Sequence, residues 1–288
     1  MKPAAFDYLR PASIEEALEQ LARLGPDAKV IAGGQSLGPM MNMRLAAPAQ
    51  LIDLNDLTEL AYVREAGEWI EIGALTRHCQ VAQSPLVRKF CPLLEQAAQT
   101  IGHYAIRQRG TMGGSLAHAD PAAQLALVAI TLGARLKLVR TGSHRWVEAA
   151  DFFVSAMTTV LAPDELVLSV QFPKAAAQEA ASFRMFNRRH GDYAIVAVAA
   201  TVALAGERVA ALRLGVSGVA PMPRALRELA QSFCGRTPDE QWVAQLAAGA
   251  RDAVSPEDDG RISALYRREL TQSLVADAVG RALAKLQK

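Results

Sequence analysis

Cysteine is scarce in this chain: Cys79, Cys91 and Cys234 are the only three, and no two of them have C-x-x-C spacing. That excludes a self-contained iron–sulfur or zinc site of ordinary ligand spacing and suits a reducing compartment. A surplus of charge is missing as well, since 31 Lys and Arg against 29 Asp and Glu leave a net charge of +2. With no basic stripe, nothing marks the chain for nucleic acid or an anionic membrane. The longest apolar run, Ala194 to Ala205, has twelve residues, short of the roughly 20 that cross a bilayer as a helix. It reads as a buried strand, and no membrane span is expected. The N-terminal stretch Met1-Lys-Pro-Ala-Ala-Phe-Asp-Tyr8 lacks the apolar core of a signal peptide, so a cytoplasmic location is expected.

What is present is a globular composition, 51% hydrophobic and 21% charged over 288 residues, enough for two or three compact subdomains. The informative stretch runs from Lys29 to Arg44, where the apolar Lys29-Val-Ile-Ala32 ends in Gly33-Gly34, then Gln35-Ser36-Leu37. It reads as a strand entering an anion-binding turn: the glycines let the backbone approach a ligand, and the N–H groups of Gln35, Ser36 and Leu37 can converge on a phosphate. Alone, such a pair is more often only a tight turn. A second copy, Thr111-Met-Gly-Gly-Ser115, changes the weight, because two such turns suit a pyrophosphate. Gly33, Gly34, Gly113 and Gly114 are then expected to be fixed by close approach to that diphosphate.

Ser13-Ile-Glu-Glu16 has the form of a capping box, and Ala17, Leu18, Leu21 and Leu24 follow at helical spacing before Gly25-Pro26. With the strand at 29–32 and another at Gln50 to Leu54, this makes a small α/β unit whose ligand contact lies at a strand's carboxyl end. Trp69 to Leu75 begins a second unit, with a helix over 86–99 that Pro92 breaks or starts, a helix over 122–132 capped by Asp120 with Pro121 at its first position, strands at 134–140 and 165–172, and a helix over 151–160. Thr100 to Gly110 is either a solvated loop or a ligand-facing one. His118 and Asp120 are better explained by local hydrogen bonding than by acid–base chemistry. A linker is expected over 174–182. Strands at 194–204 and 208–216 and three helices, 223–233, 238–254 and 263–286, then form an α+β domain. Tyr193, behind Gly191-Asp192, is either a packing residue or a ring that stacks on a flat ligand.

With Ala32 to Leu37, Arg109 to Pro121 and Gly191-Asp-Tyr-Ala194 quoted together, the chain resembles the FAD-binding medium subunits of molybdenum hydroxylases, the xanthine dehydrogenase and carbon monoxide dehydrogenase family. Gly215 to Arg224 and Tyr266-Arg-Arg-Glu-Leu270 extend the resemblance to the end of the chain. It implies an α+β fold: a two-subdomain FAD-binding region (1–57 and 58–177), then a three-stranded antiparallel sheet with helices (178–288). It implies that Ala32, Gly33, Gly34, Gln35, Ser36 and Leu37, with Thr111, Gly113, Gly114 and Ser115, embrace the FAD pyrophosphate. Ile101 and Val167 would line the flavin, Asp120 would stand close to it, and Tyr193 would lie against the isoalloxazine. Gln124 stands where relatives usually carry Asp, and Met185 near where many carry Lys, which makes Arg184 the candidate for the lost cation.

The resemblance further implies a large subunit with a molybdenum–pterin centre and a small one with two [2Fe–2S] clusters, assembled as a dimer of heterotrimers, with no catalytic residue or metal in this chain. The wording is closer to hydroxylases of N-heteroaromatic compounds than to carbon monoxide dehydrogenases, which tend to have His at the Gln35 position. No cysteine-bearing insertion points to the benzoyl-CoA reductase branch. Two rival classes are weighed. A self-contained FAD-dependent oxidoreductase would need an acid–base constellation the C-terminal region does not display, and a non-catalytic interaction subunit would not need both glycine segments intact.

Overall fold

In a computed structural model, residues 2–287 are described; Met1 and Lys288, the outermost residues of the N-terminal stretch and of the third region read above, lie outside them. The chain opens with β1 (Asp7–Leu9), α1 (Ile14–Leu24), β2 (Ala28–Ile31), α2 (Leu37–Asn42) and β3 (Gln50–Asp53). The Ser13 hydroxyl accepts from the Glu16 N–H at 3.2 Å and Glu16 accepts from the Ala12 N–H at 2.7 Å, which starts α1 where the sequence signature lies. The three strands form a parallel sheet in the order β1-β3-β2, against which α1 buries Ala17, Leu18 and Leu21.

The second region supplies β4 (Val63–Ala66), β5 (Trp69–Gly73), helices α3 (His78–Gln83), α4 (Pro85–Phe90), α5 (Pro92–Gln99), α6 (Tyr104–Arg109), α7 (Met112–His118) and α8 (Gln124–Leu132), then β6 (Arg135–Arg140), β7 (Ser143–Glu148), α9 (Ala149–Phe152), β8 (Phe153–Ser155), β9 (Thr158–Thr159) and β10 (Leu166–Pro173). Five strands make an antiparallel sheet, β4-β5-β10-β6-β7. Every residue of α8 is buried, which fits a helix that is apolar all round. It touches β10 on one side and β12 and β13 of the third region on the other.

The third region contains β11 (Glu179–Phe186), β12 (Val196–Ala205), β13 (Arg208–Ser217), the short β14 (Arg224–Ala225), and helices α10 (Arg227–Ser232), α11 (Glu240–Asp252) and α12 (Ala264–Leu286). Its antiparallel sheet thus has a fourth strand beyond the three expected. One face, through Ala181, Phe183, Ala197 and Ala199, joins the core around α5 and α8; the other, through Val196, Val198 and Val202, packs on Trp242, Leu246 and Val275 of α11 and α12.

Several local expectations are corrected. The 86–99 helix is two, because Pro92 begins α5 as a first-turn residue. Helical structure after Asp151 ends at Phe152, where the aromatic and β-branched Phe153, Val154, Thr158 and Thr159 pair as a hairpin. The linker is shorter than 174–182, since Glu179 to Ser182 already pair with Ala203 to Ala200. The 100–110 segment contains a helix, α6, rather than only a loop.

Candidate functional site

The two glycine segments meet at one end of a cleft of about 750 Å³ lined by residues of all three regions. The first segment leaves the carboxyl end of β2. Gly34 has φ +66°, a value that costs an L side chain about 1–2 kcal/mol. Among the described residues the N–H groups of Gly34, Gln35, Ser36 and Leu37 meet no acceptor, while the Gln35 side-chain amide donates to Gly33 O at 2.8 Å. Four successive free donors beside a cleft form a concave anion site.

The second segment is built differently. Thr111 caps α7, its hydroxyl accepting from the Gly114 N–H at 3.2 Å, so Gly113 and Gly114 lie in a helix's first turn rather than in a turn of their own. The Met112 N–H donates to Thr76 O at 2.9 Å and the Gly113 N–H to Ala74 O at 2.8 Å. These amides are already engaged, leaving the Thr111 and Ser115 hydroxyls as the segment's polar groups on the cleft.

The glycines also have reasons other than a ligand. A Cβ on Gly33 would stand 2.1 Å from Arg109 O, and one on Gly113 would stand 2.6 Å from the Ala74 Cβ. Close packing within the chain therefore fixes Gly33 and Gly113, and the backbone angle fixes Gly34. Gly114 is exposed, and a Cβ there would meet Thr111 Oγ1 at 2.7 Å, the same hydroxyl that accepts its N–H.

His78 lies beneath the second segment. Its N–H donates to Gly110 O at 2.9 Å and its ring Nε2–H to Thr111 O at 3.0 Å, while Nδ1 has no partner. Burial, opposed by the Thr111 hydrogen bond, holds its pKa down at about 4, so the ring is neutral. Sequence reading missed His78; an isolated histidine at a helix start carries no local signature.

Ile101 and Val167 line the cleft as apolar walls, with Ala32 and Asp120. Asp120 does not cap α8, which begins after Ala123; its carboxylate accepts from the Ala122 N–H at 2.8 Å and closes a local turn. Gln124, 5% exposed, donates to Thr100 O at 3.4 Å and contacts Met185 Sδ at 3.8 Å. Gln124 and Met185, the two positions singled out in the sequence, thus touch each other and form a neutral pair. Arg184 is not brought to the cleft. Side chains alternate along a strand, so with Met185 turned toward α8, Arg184 faces α12 and pairs with Asp277. Tyr193, 56% exposed, stands at the cleft mouth near Ser36 and Asp120. Loss of hydration and the Asp120 carboxylate raise its hydroxyl above its usual pKa, against the Ser36 hydrogen bond. Its loop lies on the 101–103 segment, where a Cβ on Gly191 would come within 2.4 Å of the His103 ring.

A model of the FAD binding domain in molybdopterin dehydrogenase matches residues 4–175, and one of the CO dehydrogenase flavoprotein C-terminal domain matches 181–282. The chain belongs to the FAD-binding medium subunits of molybdenum hydroxylases. It is 37% identical to the 6-hydroxypseudooxynicotine dehydrogenase complex subunit alpha of Paenarthrobacter nicotinovorans over 98% of this chain and 96% of that one. To the carbon monoxide dehydrogenase medium chain of Afipia carboxidovorans it is 33% identical over 99% of each. Among solved structures, quinoline 2-oxidoreductase from Pseudomonas putida 86 superposes with a TM-score of 0.95 at 33% identity over 100% of both chains. The medium subunit's cofactor is FAD, and its class is oxidoreductase. The cleft fits that cofactor. Its volume is within the roughly 300–1,000 Å³ of small-molecule sites, and the free amides at Gly34 to Leu37 supply the donors a diphosphate requires. Among the described residues no helix is long and apolar enough to cross a membrane, and no group of three His, Cys, Asp or Glu is disposed to hold a metal.

Proposed function

We propose that this chain is the flavin station of a cytoplasmic molybdenum hydroxylase, taking electrons from [2Fe–2S] clusters in a small partner subunit and passing them to an external acceptor. The clusters would be fed by a molybdenum–pterin centre in a large subunit, within a dimer of heterotrimers. The observation that carries this reading is the row of four free N–H groups at the end of β2, opening on a cleft whose mouth holds the exposed Tyr193. Bound FAD supplies a carrier that takes single electrons from a cluster and delivers a pair to an acceptor.

This chain's part is to hold and orient that carrier. The amides of Gly34 to Leu37, with the Thr111 and Ser115 hydroxyls, hold the diphosphate, and the inner end of the cleft excludes water between Ile101 and Val167. Gln124 offers a neutral amide in place of a carboxylate, so no fixed negative charge is added beside the flavin from that position. Tyr193, exposed at the cleft mouth, would lie against the flavin there.

Relatives named for nicotine, caffeine and quinoline support an N-heteroaromatic substrate for the parent enzyme. The test is assembly with the partner subunits followed by rapid mixing with substrate. Flavin absorbance should bleach in the complex and not in the isolated chain. Stoichiometric reduction of the isolated chain by a small molecule would instead establish a self-contained oxidoreductase.

A further inference from the structure

Behind the two glycine segments, outside the cleft lining, a chain of side chains joins them. Asn55 Nδ2 donates to Ala32 O at 2.8 Å and to Asp53 Oδ1, while Asn55 Oδ1 accepts from Arg77 Nη2 at 2.6 Å. Arg77 Nη1 donates to Arg109 O, and the Tyr8 hydroxyl donates to the second oxygen of Asp53. The polarity of every bond is forced. The Asp53 carboxylate and the Ala32 carbonyl only accept, so the Asn55 amide nitrogen must face them; the guanidinium only donates, so the remaining oxygen must face Arg77.

We propose that Asn55 and Arg77 form a latch that sets the separation of the two segments and aims the first one's N–H groups at the FAD diphosphate. The inference rests on the FAD reading above and concerns positioning residues, which do not touch the cofactor. Two geometric facts carry it. A trans peptide directs its C=O and N–H to opposite sides, so fixing Ala32 O on Asn55 turns the Gly33 N–H, the amide that leads into the four free ones at 34–37, the other way, toward the cleft that Gly33 lines. The carbonyl of Arg109 is the surface against which Gly33 packs, at 2.1 Å from where a Cβ would sit, and Arg77 holds that carbonyl.

Electrostatics adds a second contribution. Among the described residues Lys29 is the one Lys or Arg that lines the cleft, against Asp120, Glu165 and Asp192. The Arg77 guanidinium, close enough to Arg109 to be repelled by it, places positive charge behind the site for a dianionic diphosphate. Burial and that repulsion, only partly offset by the Asp53 carboxylate beyond Asn55, disfavour a cation there and leave room for a bound anion to favour it, so a latch of this kind should matter more to the loaded protein than to the empty one.

The experiment is titration of the full-length apo chain with FAD, and separately with ADP, for wild type, Arg77→Met, Arg77→Lys, Asn55→Ala and the Asn55→Ala/Arg77→Met double variant, alongside apo melting temperatures. Loss of a charge-assisted hydrogen bond corresponds to about a 10- to 100-fold weakening. The latch requires that Arg77→Met weaken FAD and ADP by the same factor in that range. Arg77→Lys should lose less than Arg77→Met because it keeps the charge, but should not match wild type, because one ammonium cannot reproduce the two-pronged guanidinium. Asn55→Ala should add little on top of Arg77→Met, since the two act as one unit. FAD affinity within twofold of wild type in both Arg77→Met and Asn55→Ala would overturn the latch, as would fully multiplicative effects in the double variant. Should Arg77→Met yield no folded protein, Arg77→Lys and Asn55→Ala decide the question by the same criteria. Wild-type protein that binds neither FAD nor ADP would overturn the FAD reading itself, whereas wild-type binding with unaffected variants would overturn only the latch.

Discussion

Gly33-Gly34 and Gly113-Gly114 are the same dipeptide, each followed closely by a serine and a leucine, yet the chain uses them in opposite ways. In the first, the backbone leaves a parallel strand, takes a left-handed angle at Gly34 and keeps four N–H groups free. In the second, the backbone enters α7 and spends its N–H groups on Thr76, Ala74 and its own cap. The first is a donor surface; the second is a packing joint that brings the Thr111 and Ser115 hydroxyls to the same cleft. A shared word in a sequence therefore does not imply a shared role, and hydrogen-bond accounting separates the two.

The largest effect that would sharpen this contrast is expected at Gly113. A Val there must displace Ala74, whose Cβ and backbone lie within 3.0 Å of the new Cβ, so a loss of about 3 kcal/mol or more is expected from overpacking. Thermal unfolding of the apo protein measures it; a variant that melted like wild type and lost only FAD would make the second segment a ligand turn after all. Nearly as large is the acid sensitivity carried by His78, which belongs to the second segment alone. Its folded pKa of about 4 lies below the ordinary 6.5, so the unfolded chain binds the proton more readily. The contribution is complete above about pH 6.5, is lost as pH falls toward 4, and is on the order of 3 kcal/mol. His78→Gln, which keeps an N–H for Thr111 O, should flatten that part of the stability–pH curve. An unchanged slope would show that the ring is not held neutral.

Smaller again is Gly34→Ala, where the left-handed angle costs about 1–2 kcal/mol while no atom lies closer than 3.4 Å to the new Cβ. Folded protein with weakened FAD binding is expected, and equilibrium titration of the apo variant reads it. The smallest effect is at Tyr193, where an aromatic pair is worth about 0.5–1.5 kcal/mol beyond burial. Tyr193→Ala should retain FAD, shift the flavin absorption band and change the rate of reoxidation by the acceptor in stopped flow. An unchanged band and rate would make Tyr193 a packing residue.

Elements with a local signal were legible from the sequence: the capping box at Ser13, the strand that precedes Gly33, the strands either side of Gly206 and the long C-terminal helix. The residues expected to hold a ligand come together where they are continuous in sequence, and fifteen of the sixteen line the cleft, all but Arg184. What escaped depends on contacts distant in sequence. Arg184 and Met185 are neighbours, and only the pairing of β11 decides which of them faces α8. Asp120 and Pro121 have the form of a helix start, but the Asx turn at Ala122 takes the carboxylate first. His78, Asn55 and Arg77 lie 22 to 33 residues from their partners, beyond any local pattern.

The central claim, that a diphosphate sits on the free amides of the first segment, is tested most directly by amide chemical shifts of the 15N-labelled apo chain titrated with ADP. The largest changes are predicted at Gly34, Gln35, Ser36 and Leu37, with Met112 and Gly113 moving little because Thr76 and Ala74 already hold their N–H groups. Saturable shifts centred on 112–113, with 34–37 unmoved, would contradict the account.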